Sequence, residues 1–212
     1  MGRGMDLALF ALRIVAGLLL AGHGAQKLFG SFGGHGIAGT GQFFESLGLR
    51  PGQRHARLAG LSEFGGGLLL VLGLFTPLGA AAIIGVMTVA ILTVHLPKGP
   101  WATEGGYEYN VVLIAIAFAL GCAGPGGWSL DHALGLNSGG IGWGLAALGA
   151  GVLGGIGTLI AARGGGRGQP AAAQPAAAQP AARPVTSPVP EPATTADERF
   201  AREPAREPLD RR

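Results

Sequence analysis

Residues 7–29 read LALFALRIVAGLLLAGHGAQKLF, an apolar run interrupted by Arg13, His23, Gln26 and Lys27. At a rise of about 1.5 Å per residue, roughly twenty such residues cross the hydrocarbon core of a bilayer. Arg13 breaks the apolar region that a signal peptide needs, and no small-residue cleavage site follows. The stretch therefore predicts a membrane-spanning helix that is retained in the mature protein.

Three further apolar stretches are expected to pack with this first helix. They cover residues 58–75, 78–96 and 107–123. Thr76-Pro77 predicts a tight turn between the first two, because proline suits the first position of a helix. The glycine and proline cluster at residues 124–127 ends the last of them. Residues 1–135 therefore predict a four-helix transmembrane bundle.

A fifth transmembrane helix is predicted within residues 136–163. Residues 141–162 carry no charge and are long enough to span, although seven glycines make them only weakly hydrophobic. Ala147, Gly151 and Gly155 recur every four residues, which leaves one side of the helix small enough for close packing. A flexible Gly/Ala hinge is the alternative interpretation.

The composition is typical of an all-α integral membrane protein. Charged residues make up 13% of the 212 residues, whereas soluble domains carry about a quarter. The net charge is +3, but no compact basic patch with interleaved aromatic residues lies outside the C-terminal tail, which argues against nucleic acid as a partner. Cys122 is the single cysteine of the sequence, so an intrachain disulfide and a C-x-x-C redox centre are both excluded.

Residues 164–212 differ sharply from the rest of the chain. QPAAAQPAAAQP at residues 169–180 repeats every five residues, and prolines with mixed charges follow. Such a segment buries too little apolar area to offset the loss of chain entropy. The sequence therefore predicts a disordered Pro/Ala/Gln-rich tail, either passive or acting as a tether for a partner.

The first loop, residues 30–57, predicts a short helix in the membrane interface, because it contains Phe43, Phe44 and two leucines among its glycines. Gly48 is expected to end this helix and Pro51 to open the next one. Arg50, Arg54 and Arg57 then share one face and are expected to meet lipid headgroups.

The distribution of lysine and arginine predicts the orientation. Seven of these residues lie near the span ends in the first loop, the third loop and the tail, whereas Arg3 alone lies on the other side. Cytoplasmic loops are enriched in lysine and arginine. We therefore expect the N-terminus outside and the tail in the cytoplasm.

Each of the first four spans has one face of polar and small residues that recur at alternating four- and three-residue intervals. Small residues permit close backbone approach and ionisable groups avoid lipid, so these faces are expected to point into the bundle. The faces are Arg13, Gly17, Leu20, Gly24 and Lys27; Gly60, Glu63, Gly67, Leu70 and Leu74; Ala81, Gly85, Thr88, Leu92 and His95; and Glu108, Val112, Ala115, Ala119 and Cys122.

Five ionisable residues on or beside these faces are expected near one membrane surface, because successive spans alternate in direction. Glu63, His95 and His23 are the candidate catalytic residues, since carboxylate and imidazole groups transfer protons. Lys27 and Glu108 are the candidate substrate-binding residues. The alternatives are a structural ion-pair cluster and, for Lys27 and Glu108, snorkelling at helix ends. Neither an H-x-x-x-H nor an H-x-x-E pattern supports a metal site there.

Arg13 lies about 15 Å along the helix from His23 and needs its own partner. Asp131, the acid between the fourth and fifth spans, is predicted to form an ion pair with Arg13 near the opposite surface. Asp6 as the partner, or snorkelling of Arg13, is the alternative. The histidines expected to be ordinary solvated side chains are His35, His55 and His132.

Three segments resemble the DoxX family. They are LRIVAGLLLAGHGAQKLFG at 12–30, GLSEFGGGLLLVLGLFTPLGAAAI at 60–83, and residues 94–131 with GGYEY and GPGGWSLD. The resemblance covers about residues 7–135. It implies a four-helix protein of the bacterial cytoplasmic (inner) membrane, of a kind described as an oxidoreductase or as a quinone-linked oxidase subunit.

Two functions follow as hypotheses. In the first, the protein is a membrane component of an oxidoreductase system and binds a quinone at the polar cluster near the cytoplasmic face. In the second, it is a non-catalytic membrane scaffold or small-molecule carrier that recruits soluble redox enzymes. The sequence has no haem, flavin, iron–sulfur or dithiol motif. This favours a protein that assists another redox enzyme over one that catalyses a redox reaction alone. A homo-oligomer is compatible with either hypothesis.

Overall fold

The computed structural model describes residues 2–136 and 138–165. Within these residues the chain forms seven α-helices and no strand. The helices are α1 (Arg3–Phe29), α2 (Gly36–Ser46), α3 (Gly52–Leu72), α4 (Thr76–Ala90), α5 (Glu108–Ala123), α6 (Leu130–Ala133) and α7 (Ile141–Gly165). A π-helical turn and a 3-10 turn extend α4 to Lys98. The all-α class is confirmed, while the predicted tail beyond Gly165 lies outside the described residues.

Three helices of the described part are long and apolar enough to cross a membrane: Arg3–Phe29, Thr76–Lys98 and Ile141–Arg163. The apolar helix α5 is shorter, with 16 residues. The 21-residue helix α3 is not among the candidates, because Arg54, Arg57, Glu63 and its glycines lower its hydropathy. The apolar surfaces of these helices make the chain an all-α membrane protein in contact with the bilayer.

Helices α1 and α3 touch along their backbones. A Cβ atom at Gly17 would lie 2.6 Å from the carbonyl oxygen of Gly67, and one at Gly67 would lie 2.5 Å from the carbonyl oxygen of Gly17. Any larger residue would push the helices apart. The predicted inward faces of these two helices are confirmed, because Arg13, Leu20 and Leu70 are at most 1% exposed.

Helix α7 packs closely against α4 through the predicted small residues. A Cβ atom at Gly151 would lie 2.7 Å from Cβ of Ile84, and one at Gly155 would lie 2.8 Å from the carbonyl oxygen of Gly85. Ala147 joins the core that α4 and α5 also form. The close-packing prediction for α7 is confirmed, and the helix runs without a hinge from Ile141 to Gly165.

The predicted inward face of α5 is wrong. Glu108, Val112, Ala115 and Ala119 are exposed, with Val112 at 49%. Glu108 sets that predicted face by its charge, but as the first residue of α5 it binds the preceding loop at Ala102. The face that α5 buries against α4 and α7 consists of Asn110, Leu113, Ala117, Leu120 and Gly121.

The first loop contains the predicted short helix, α2, which packs against α3. Gly48 lies just beyond its end at φ 81°, a left-handed conformation that glycine adopts without strain. Leu49 is buried against the end of α7, and Pro51 immediately precedes α3. Arg50, Arg54 and Arg57 are exposed, as an anchor to headgroups requires.

Candidate functional site

The α1–α3 interface holds a direct ion pair. Lys27 Nζ lies 2.5 Å from Glu63 Oε2, and the side chains are 25% and 5% exposed, respectively. The glycines of the interface allow this contact, because they bring the two helix backbones close enough for a lysine and a carboxylate to meet. Glu63 is thus a buried acid whose charge is balanced by a cation that still reaches the surface.

His23 lies one turn before Lys27 on α1 and is exposed. Its Nδ1 atom is 3.1 Å from Oε1 of Gln26, and Nε2 of Gln26 donates a hydrogen bond of 3.2 Å to the carbonyl oxygen of Phe32. The C-terminal turn of α1 is therefore tied to the start of the first loop. This end of the interface carries an imidazole, an ammonium and a carboxylate.

His95 and Glu108 belong to a second polar group, at the two ends of the loop between α4 and α5. Nδ1 of His95 is 2.7 Å from the carbonyl oxygen of Gly105, and Oε2 of Glu108 accepts a hydrogen bond of 3.0 Å from the backbone N–H of Ala102. Both side chains hold this loop in shape. Glu108 is exposed and His95 is partly buried.

The five residues of the predicted polar cluster therefore separate into two groups in their hydrogen bonding. Lys27 and Glu63 are joined directly, whereas the contact of His95 is with Gly105 and not with Glu63. Among residues 2–136 and 138–165, no group of three or more His, Cys, Asp or Glu side chains is placed to hold a metal ion.

The predicted ion pair between Arg13 and Asp131 does not form. Both side chains are 0% exposed, but Nη2 of Arg13 donates to the carbonyl oxygen of Trp128 at 2.5 Å, with a longer contact of 3.5 Å from Nη1 to that of Leu70. The guanidinium also lies against Gly73, where any side chain would collide with it. Arg13 is held by backbone carbonyls because the last turn of α3 and the segment between α5 and α6 lie within its reach.

Asp131 instead caps the start of α4. Its carboxylate accepts hydrogen bonds from the N–H groups of Phe75 and Thr76 at 2.8 and 3.1 Å, and from the hydroxyls of Thr76 and Ser138 at 3.0 and 2.8 Å. Free N–H groups at a helix N-terminus favour a carboxylate. Its own N–H donates to the carbonyl oxygen of Gly73 at 2.8 Å.

The surroundings of Asp131 lower its pKa. Burial alone raises the pKa of this carboxyl, but the hydrogen bonds from Thr76, Ser138 and Phe75 outweigh burial and hold the pKa below its ordinary value of 3.8. Asp6, the alternative partner for Arg13, accepts a hydrogen bond of 2.7 Å from the N–H of Gly127. The acids at this end of the bundle therefore bind backbone groups.

A cavity of about 230 Å³ lies between α3, α4 and α7, next to α2. His55 lines it, and the Nδ1 atom of this residue is buried without a hydrogen-bond partner among the described residues. The expectation that His55 is an ordinary solvated side chain is therefore wrong, because the first turn of α3 places it on the cavity lining with its Nδ1 atom buried. Sequence reasoning treated this position as a loop, although Pro51 already marked the start of the helix.

Sequence reasoning also missed the burial of Asn110 and the capping role of Asp131. Asn110 is 5% exposed and contacts the sulfur of Met87 at 3.3 Å, although nothing in the α5 sequence distinguishes it from a surface residue. The capping role of Asp131 had a signal: Phe75 precedes α4 where a capping Ser, Thr, Asp or Asn is usual. A helix start without a local cap needs an acceptor from elsewhere in the chain.

Apolar helices joined by glycine contacts, with buried charged groups at two levels of the bundle, define an all-α integral membrane protein. The family model DoxX matches residues 8–96, which run from α1 through the π-helical turn after α4. Residues 8–96 are therefore similar to the DoxX family. No curated protein and no solved structure matches the chain.

Proposed function

We propose that the protein is a membrane component of an oxidoreductase system that binds a quinone beside the Lys27–Glu63 ion pair. The ion pair carries the proposal, because a charged pair this close inside a membrane bundle is costly and is typical of a functional position. The resemblance to DoxX proteins described as quinone-linked supplies the ligand class. Electrons come from a soluble redox enzyme that docks on the membrane.

The ammonium group of Lys27 is able to donate a hydrogen bond to a quinone carbonyl. This group has three N–H donors, and Glu63 accepts one of them. The side chain is one quarter exposed, so a further donor is free to bind an oxygen that approaches from the bilayer or its surface. Lys27 thereby polarises the carbonyl, and quinones supply two-electron chemistry within the membrane.

Glu63 and His23 manage the protons in this proposal. Glu63 exchanges its proton with Lys27 or the bound oxygen, and His23, exposed one turn away, connects the pair to water. His95 and Glu108 act from the loop between α4 and α5, where they hold the backbone at Gly105 and Ala102. By lysine and arginine distribution this end of the bundle faces the cytoplasm of a bacterial cell.

The test is extraction of lipids from the detergent-purified chain, with quantification of quinone by absorbance and mass spectrometry. We expect quinone in stoichiometric amount in the unmodified protein and a loss of about tenfold in Lys27→Gln, because removal of the ammonium removes the donor. Lys98→Gln is the matched control, since Lys98 is an exposed lysine beyond α4. Protein without quinone that retains a defined soluble enzyme would instead support the alternative, a non-catalytic scaffold or carrier.

A further inference from the structure

The cavity between α3, α4 and α7 is separate from the ion pair and has a chemical character of its own. Its volume is about 230 Å³ and it is partly open, its lining consists mainly of small and apolar side chains, and none of its lining residues carries a formal charge. Part of this lining is formed by Phe44, Leu58, Ala82, Gly85, Val86 and Gly154. An uncharged lining favours an uncharged occupant, because a bare ion would lose its hydration there.

Two of the three helices around the cavity are candidate membrane spans, so the occupant is drawn from the bilayer. An apolar cavity of about 150 Å³ holds benzene, whereas pockets for drug-sized molecules begin near 300 Å³. The volume here lies between these limits. It suits one small aromatic ring system, with any longer tail left in the lipid.

His55, Ser62 and Thr158 are the polar residues of the lining, and within the described part of the chain His55 supplies the nitrogen that lacks a partner. Its Nδ1 atom is buried and has no hydrogen-bond partner among the described residues, a state that proteins generally avoid. Thr158, also on the lining, already donates to the carbonyl oxygen of Gly154 at 2.9 Å. The χ2 torsion of histidine is broad, so a modest ring rotation presents Nδ1 to an occupant.

We propose that this cavity binds an uncharged aromatic molecule with one hydrogen-bonding oxygen, and that His55 recognises this oxygen. The ring system fills the space between α4 and α7, and the oxygen points to the first turn of α3. No electron transfer is needed for this binding, so the inference goes beyond the proposed quinone function and does not depend on it.

The test uses three probes of the same ring skeleton on the full-length chain in detergent. They are 1-naphthol, whose hydroxyl donates and accepts, 1-tetralone, whose carbonyl accepts, and naphthalene, which has no oxygen. Binding is measured by equilibrium dialysis. We expect at least one oxygenated probe to bind about tenfold more tightly than naphthalene. Because the carbonyl of 1-tetralone can only accept a hydrogen bond, its tighter binding requires that Nδ1 of His55 carries the proton.

Two variants and one control locate the binding. His55→Phe is expected to abolish the preference for oxygenated probes while naphthalene still binds. Gly154→Leu is expected to weaken all three by about tenfold, because its side chain enters the cavity. Gly157→Leu is the matched control on the same helix: a Cβ atom meets nothing within 4 Å at either glycine, but Gly157 does not line the cavity.

Equal binding of all three probes by the unmodified chain would overturn the inference and identify a hydrocarbon cavity that takes acyl chains. A preference that survives in His55→Phe, or binding that survives in Gly154→Leu, would also overturn it. The quinone content of the Lys27→Gln protein is measured separately. The cavity proposal and the quinone proposal are therefore tested independently, and failure of one does not affect the interpretation of the other.

Discussion

Two buried polar centres divide the bundle, and they handle charge differently. Arg13 and Asp131 are fully buried; Arg13 binds the carbonyl oxygen of Trp128, and Asp131 binds N–H groups at the start of α4. Lys27, about 21 Å further along α1 by helix rise, binds the buried Glu63 of α3 and is itself partly exposed. The hydrogen bonds of Arg13 and Asp131 join parts of the fold to one another, whereas Lys27, which is partly exposed, keeps donors available for a ligand.

The largest effect is expected at Asp131. Asp131→Ala removes the acceptor for two N–H groups and two hydroxyls, and leaves the start of α4 uncapped. We expect the free energy of unfolding to fall by about 3 kcal/mol, since hydrogen bonds to charged groups are strong and their partners stay buried. Chemical unfolding in detergent measures this loss.

His132→Ala is the control for Asp131→Ala, because His132 is the exposed neighbour on the same short helix. Loss of the His132 side chain should change the free energy of unfolding by about 0.5 kcal/mol or less. An equal loss in both variants would show that α6 as a whole, and not the carboxylate, stabilises the α4 start.

A second prediction compares the two cations. Arg13→Lys should lower the free energy of unfolding by about 2 kcal/mol, because an ammonium cannot reproduce the planar set of donors that contacts Trp128 and Leu70. Lys27→Arg should be nearly neutral, since Lys27 is partly exposed and its partner accepts either cation. Thermal unfolding of both variants in one detergent checks this order, and equal losses would contradict it.

Acid should weaken the Asp131 centre. The pKa of Asp131 is lowered in the folded state, so its contribution to stability is present above the ordinary value of 3.8 and is lost as pH falls through the lower folded pKa. The loss should be smaller than in Asp131→Ala, because a protonated carboxyl still accepts through its carbonyl oxygen.

Unfolding of the unmodified protein and of Asp131→Asn between pH 7 and pH 3 measures this acid dependence. The unmodified protein should lose more stability than the variant below about pH 4. Parallel curves would mean that other acids cause the whole acid dependence.

The contrast between the two centres also shows what the sequence predicts well. The spans of α1, α4 and α7, the turn before α4 and the small faces of α1, α3 and α7 follow from hydropathy and from glycine spacing, which depend on local residues. The sequence also brings Arg13 and Asp131 to the same end of the bundle. It cannot tell whether they pair, because that depends on which backbone carbonyls lie nearby once α3 and α4 have packed.

Dependence on contacts between helices also explains why the predicted face of α5 and the predicted solvation of His55 are wrong. Glu108 defined a face by its charge, yet a charged residue at a helix end is free to bind its own loop, as it does at Ala102. His55 lines a cavity that exists only after α7 packs on α4. Contacts between helices distant in sequence have no local signature, and both errors arise there.

The smallest expected effect concerns the Lys27–Glu63 pair itself. Lys27→Met leaves Glu63 as an uncompensated buried acid, whereas Glu63→Gln leaves a lysine that is able to reach water. Lys27→Met should therefore cost more stability than Glu63→Gln. A double-mutant cycle should give a coupling energy of about 1 kcal/mol, above that of exposed pairs, because the contact is direct but partly open. Coupling near zero would mean that the two charges are independently solvated, and the difference between the two centres would then disappear.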